Sequence, residues 1–147
     1  MNKKWLILTA LGLSLIATPY LACSNSGDAE ASYSEADMKG AVLGRWEGTA
    51  DIDGESVDFS LVLEPTSVKS KPGARTLAVS GTITSVNPVL NGNVDGEISA
   101  GKDLDPADVS LRVEDGTLLG GALEKQALND GHVTKARPVG TFSLSRP

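Results

Sequence analysis

From Trp46 to the end of the chain, apolar and polar positions alternate with a period of two, in short blocks separated by turn residues. Trp46, Gly48, Ala50 and Ile52 alternate with polar partners up to Asp53-Gly54, a strong hairpin signal. Val57, Phe59, Leu61 and Leu63 form the second block, which Pro65 is expected to end, and Lys69 to Ala74 reads as a basic loop around Pro72-Gly73. Leu77, Val79, Gly81 and Ile83 form the third, and Asn87-Pro88 breaks the chain before Val94, Gly96 and Ile98. Val109, Leu111 and Val113 lead into Asp115-Gly116, a second hairpin signal, and Leu119, Gly121 and Leu123 continue after it. Asn129-Asp130-Gly131 is expected to turn the chain into a weak strand around Val133, and Gly140, Phe142 and Leu144 close the sequence.

Eight short strands result, with no helical segment long enough between them for a parallel crossover, so the sheet is expected to be antiparallel. The predicted fold is all-β: an eight-stranded antiparallel up-and-down barrel, because closure removes exposed edges. A sandwich of the same strands is the alternative. Mid-strand glycines (Gly48, Gly81, Gly96, Gly121) mark places where a narrow barrel coils its strands. Ahead of the strands, Ser34-Glu35-Ala36-Asp37 reads as a capping box opening a short helical turn to about Leu43. A membrane barrel carries its apolar stripe outward between aromatic girdles, and the strands here hold only Trp46, Phe59 and Phe142. The apolar face therefore points inward, with Phe59, Leu61, Val79, Leu111 and Phe142 expected in one core.

The first 22 residues have a different pattern. Lys3 and Lys4 precede an apolar run of 12 residues, Trp5 to Ile16, followed by Pro19 and the small Ala22. As a helix that run spans about 18 Å, short of the roughly 30 Å of a hydrocarbon core. Residues 1–22 thus read as a secretory signal. Cys23, the only cysteine, follows at once in Tyr20-Leu21-Ala22-Cys23, which resembles the lipobox of bacterial lipoproteins. The family usually has Leu where this chain has Tyr20. The resemblance implies a palmitate-bearing Cys23 as the new N-terminus, a membrane anchor through that lipid and, from Ser24, the outer membrane, with the periplasmic face expected. A free thiol behind an ordinary cleavage site is the other reading. Residues 23–33, small, polar and acidic after the cysteine, are expected to form a flexible tether, and residues 34–147 the barrel domain.

The chain of 147 residues carries 13 Lys+Arg against 19 Asp+Glu, and losing Lys3 and Lys4 with the leader takes its net charge from −6 to −8. Such a surface as a whole repels phosphate backbones and anionic headgroups, so no nucleic-acid partner is expected. His132 is the only histidine and reads as a solvated turn residue. With no nucleophile elbow and no second histidine, neither catalysis, nor a metal, nor a cofactor is expected. The acidic groups Asp51, Asp53 and Glu55, and Asp103, Asp105 and Asp108, were the candidates for calcium, but a hairpin and an irregular loop account for them more simply. Lys69, Lys71 and Arg75 read as a solvated basic loop, with contact to anionic lipid the alternative.

Gly44-Arg45-Trp46 opens the first strand, and Arg146 stands at the end of the last. This resembles the lipocalin and wider calycin signature, a Gly-x-Trp whose indole is crossed by a basic residue from the closing strand. The resemblance implies barrel closure by Gly44, Trp46 and Arg146, with a cation–π contact of roughly 0.5–2 kcal/mol. The domain is shorter than a typical lipocalin, lacks its long C-terminal helix, and has no cysteine after Cys23 for the family's disulfides. The function expected is a membrane-anchored binding or interaction module for a small apolar ligand or an envelope protein, as a monomer. A structural lipoprotein with a filled barrel, or a barrel similar to bacterial protease inhibitors, are the alternatives. No ligand-binding residue is legible.

Overall fold

The computed structural model describes residues 31–147, so the segment read as a secretory signal, residues 1–22, and Cys23 lie outside the described residues. One helix, α1 (Glu35–Val42), precedes eight strands: β1 (Gly44–Ile52), β2 (Glu55–Lys71), β3 (Ala74–Ser85), β4 (Gly92–Ala100), β5 (Ala107–Val113), β6 (Leu118–Glu124), β7 (Ala127–Lys135) and β8 (Arg137–Ser145). They pair antiparallel in sequence order and close into a barrel. β1 and β8 join through partners such as Gly48 with Leu144 and Ala50 with Phe142, which decides for the barrel over the sandwich. The period-two pattern is the cause. Apolar residues alternate with exposed ones along β1, and β5 alternates without a break. An eight-stranded cylinder is just wide enough for such side chains to fill.

The five expected core positions are all buried, and the Phe59 and Phe142 rings meet edge to face with centroids 6.2 Å apart. The expected strand-coiling glycines stand at inward positions. A methyl group added to Gly81 would lie 1.8 Å from the Val62 carbonyl oxygen, so the backbone of β2 occupies the space a side chain would need. α1 is too short to be stable alone and is held by docking. Its Ser34 hydroxyl accepts from the Asp37 amide while the Asp37 carboxylate accepts from the Ser34 amide. The Ser34 hydroxyl also donates to that carboxylate at 2.6 Å, and this bond, with the one from the Ser34 amide, holds the Asp37 carboxyl below the usual range. Met38 and Val42 bury the inner face of the helix over one mouth of the barrel.

Four expectations are corrected. Pro65 does not end the second strand: β2 runs through it to Lys71, with a register shift between Pro65 and Ser67. β1 stops pairing at Leu63, so on that side no partner needs the amide proline lacks. The basic loop is therefore a hairpin tip, in which Lys71 pairs with Ala74 around Pro72-Gly73 and Gly73 has φ 70°. Asn129-Asp130-Gly131 lies inside β7 as an irregularity, with Asp130 at φ 56° and a register shift between Leu128 and Gly131. Residues that tolerate positive φ serve a bulge as well as a turn. The turn itself is Lys125-Gln126, at φ 48° and 65°, where the Lys125 amide donates to the Asp105 carboxylate at 3.2 Å. His132 accordingly sits on β7 as an exposed strand residue, opposite Gly120, and not in a turn.

Ser32 and Tyr33, expected at the end of a tether, are bonded to the barrel. Tyr33 is buried, its hydroxyl donating to the carbonyls of Ala100 and Gly101, and the Ser32 amide donates to the Lys102 carbonyl at 2.7 Å. These residues belong to the folded domain because Tyr33 covers apolar surface beside β4 that the strand pattern alone leaves open.

Thr117 is the one polar residue in the core, and its hydroxyl has no hydrogen-bond partner among the described residues. An unpaired buried hydroxyl costs about 1–3 kcal/mol, and valine has nearly the same shape. Thr117→Val is expected to raise stability by about 1 kcal/mol, read as a higher midpoint in urea. A lowered midpoint would mean the hydroxyl is satisfied, for instance by the neighbouring Asp115 carboxylate, which already accepts from the Thr117 amide.

Candidate functional site

The mouth under α1 is the most constrained part of the molecule. Gly44 leaves the helix at φ 104°, a backbone conformation that suits glycine, and this turns β1 so that Trp46 enters the lumen. Trp46 is 2% exposed, and its indole N–H donates to the Val42 carbonyl at 3.0 Å. The Arg146 guanidinium, one residue past β8, lies 4.8 Å from the indole centroid. From there it donates to the carbonyls of Gly40 at 2.8 Å and Leu43 at 2.9 Å, at the end of the helix where carbonyls lack helical partners. Gly44, Trp46 and Arg146 are thus brought together, and Arg146 ties the last strand to both the first strand and the helix. Cys23 lies outside the described residues.

Tyr33 and Val42 were missed in the sequence. A tyrosine in a polar stretch carries no periodic signal, and only the arrival of Arg75 over its ring, 5.8 Å from the centroid, shows its place. Burial pushes the Tyr33 phenol above its ordinary value, and the Arg75 charge opposes that rise.

Below this seal the lumen is full. Val42, Trp46, Leu61, Leu63, Leu111 and Leu128 are among the residues around an internal space of only about 10 Å³, room for no more than a single water. A far roomier concavity lies outside, on the face of β1 between β2 and β8. It measures about 660 Å³ and is lined by Glu47, Thr49, Asp58, Ser60, Ser143 and Ser145, with Phe59 and Leu144 just reaching its floor. Its lining of hydroxyls and carboxylates suits hydrogen bonding to a polar or cationic surface rather than burial of an apolar molecule.

Three of the acidic residues read as calcium candidates bond within the fold. The Asp51 carboxylate accepts from the Gly54 amide in the first hairpin, Asp103 accepts from the Ser32 hydroxyl, and Asp105 from Lys125. Among the described residues no three His, Cys, Asp or Glu side chains converge as a metal site would require. At the opposite mouth, burial of Asp115 is outweighed by hydrogen bonds from Lys135 and Thr117, which keep its carboxyl below the usual range.

No protein-family model matches the chain, and no curated protein matches it either.

Proposed function

We propose that this chain is a non-catalytic docking module of the cell envelope: a packed, calycin-like barrel, held at the membrane by lipid on Cys23, that engages an envelope protein through its outer surface. The filled lumen carries this reading over that of a carrier for a small apolar ligand. Binding pockets for small molecules measure about 300–1,000 Å³, and the interior offers about 10 Å³. Recognition is left to the outside, where the groove over β1 is of useful size, polar and built on rigid strands. The lipobox-like Ala22-Cys23 supports the anchor, since several acyl chains at one residue exceed the marginal hold of a single chain.

The test has two arms. Metabolic labelling with a fatty-acid analogue is expected to mark the wild type and not Cys23→Ser, which shifts to the soluble periplasm. A photo-crosslinking residue at Ser143 is expected to yield one discrete protein adduct in the native envelope, lost in Ser145→Arg. A co-purifying small apolar molecule in native mass spectra, with no adduct at Ser143, would return the protein to the carrier reading. An unlabelled, soluble wild type would end the lipoprotein reading.

A further inference from the structure

β2 outruns β1, its neighbour on one side, while β3 stays paired with β4 up to Arg75. β1 pairs with β2 only as far as Leu63, while β2 continues for eight residues, Glu64 to Lys71, paired to β3 alone on one side. At about 3.3 Å per residue this segment is roughly 26 Å long. Its tip carries Lys69, Lys71 and Arg75 on a protein of net charge −6. The three do not behave alike. Arg75 is half-buried and fixed over Tyr33. Lys69 lies 3.7 Å from Glu97, but both side chains are more than half exposed, and such pairs hold little. Lys71 has no ion-pair partner among the described residues and is exposed.

The place where the chain enters the barrel gives these cations direction. Ala31 to Tyr33 run in beside the tip of the hairpin: Tyr33 is under Arg75, and Ser32 is bonded to Lys102 in the β4–β5 connection. Arg75 pairs directly with Ala100, whose carbonyl receives the Tyr33 hydroxyl. Lys69, Lys71 and the exposed Lys102 therefore surround the point from which the N-terminal 30 residues depart. Only seven residues, 24–30, separate Cys23 from that point. An anchor so near holds this end of the barrel against the surface that carries it.

We infer that the tip of the β2–β3 hairpin, with Lys102, is a contact for anionic lipid headgroups that sets the orientation of the barrel on its membrane. This rests on the membrane anchorage proposed above. Pro65 and the lysines also discourage strand pairing along the open edge of β2, which explains lysines on that edge but not Lys102 beside the chain's entry. Glu97 faces Lys69, Asp103 and Asp105 share the β4–β5 connection with Lys102, Asp105 accepting from the Lys125 amide, and Glu64 begins the open segment of β2. Glu97 weakens Lys69, and Asp103 is engaged by the Ser32 hydroxyl, so Lys71 and Lys102 supply most of the attraction. Each lysine near an anionic surface strengthens association by a factor of about five at physiological salt.

The full chain has one cysteine, so coupling Cys23 to maleimide-lipid vesicles anchors it whether or not cells lipidate it. Lysine acetylation is then read by mass spectrometry on vesicles of phosphatidylcholine alone and with 30% phosphatidylglycerol, a composition chosen for the test. On the anionic vesicles Lys69, Lys71 and Lys102 are expected to react about fivefold more slowly than on the neutral ones, with Lys135 at the far mouth unchanged. Salt of about 0.5 M is expected to abolish the difference, as is Lys69→Glu with Lys71→Glu at position 102. Equal rates on both vesicles overturn the inference. Equal protection on both also overturns it, because shadowing by the tether needs no charge. Absence of fatty-acid label in cells defeats the anchorage reading separately and leaves this measurement readable.

Discussion

Trp46→Ala is expected to remove most of the stability of the domain. The indole is buried among the aliphatic residues of the lumen, and truncating such a side chain costs about 3–5 kcal/mol when the surroundings cannot collapse. Small domains have about 5–15 kcal/mol in total. The substitution also strands the Val42 carbonyl, the hydrogen-bond partner by which the indole holds α1 over the mouth. Arg146→Ala is expected to cost less, about 1–2 kcal/mol, since it loses two hydrogen bonds to exposed or partly buried carbonyls and the shielding of one indole face. The two losses are not independent. With the guanidinium 4.8 Å from the indole centroid, the double variant should be less destabilised than the sum by about 0.5–2 kcal/mol. Urea unfolding of the four chains measures this, and a coupling of zero would show that Arg146 holds the helix without supporting Trp46.

Gly81→Ala is expected to do comparable damage by adding a single methyl group. The new Cβ would sit 1.8 Å from the Val62 oxygen, 2.9 Å from the Val62 carbon and 3.2 Å from Leu63 Cα, all of them backbone. A flexible side chain could swing away, but β2 is held between β1 and β3 at this level, where Leu63 pairs with both Gly44 and Gly81. Relief requires opening the β2–β3 ladder, at a cost of about 3 kcal/mol or more. Gly40→Ala is the matched control. Gly40 lies in α1 with nothing within 4 Å of the added methyl, so the same chemical change should stabilise the helix by about 0.5–1 kcal/mol. Thermal unfolding of both variants checks the pair. Similar small shifts for the two would mean that the barrel tolerates side chains at its coiling points.

The alternation from Trp46 to Leu144 was enough to determine the number of strands, their inward faces and, with mostly tight turns between them, their antiparallel order. These are local properties. A period of two assigns each side chain to a face before any contact is made, and a short connection leaves the next strand nowhere to go but alongside. The capping box was legible for the same reason, since Ser34 and Asp37 act within three residues. The contact of Trp46 with Arg146 was legible through the resemblance of the chain's two ends to a known closure, and the geometry places both residues at the same mouth.

Other features were settled only by tertiary structure. Pro65 reads as a stop until it is known that β1 has already ended beside it. Asn129-Asp130-Gly131 and Lys125-Gln126 exchange the roles their compositions suggest. Register with β6 and β8 decides which positive-φ residues form a bulge and which a turn, and Asp105, distant in sequence, supports the turn. Tyr33 joins the core because β4 and Arg75 happen to be where it lands. The filling of the lumen was decided in the same way. Inward side chains can be counted along each strand, but whether they meet depends on how tightly the barrel coils. That tightness is set where glycines such as Gly81 let one strand's backbone pass against the next.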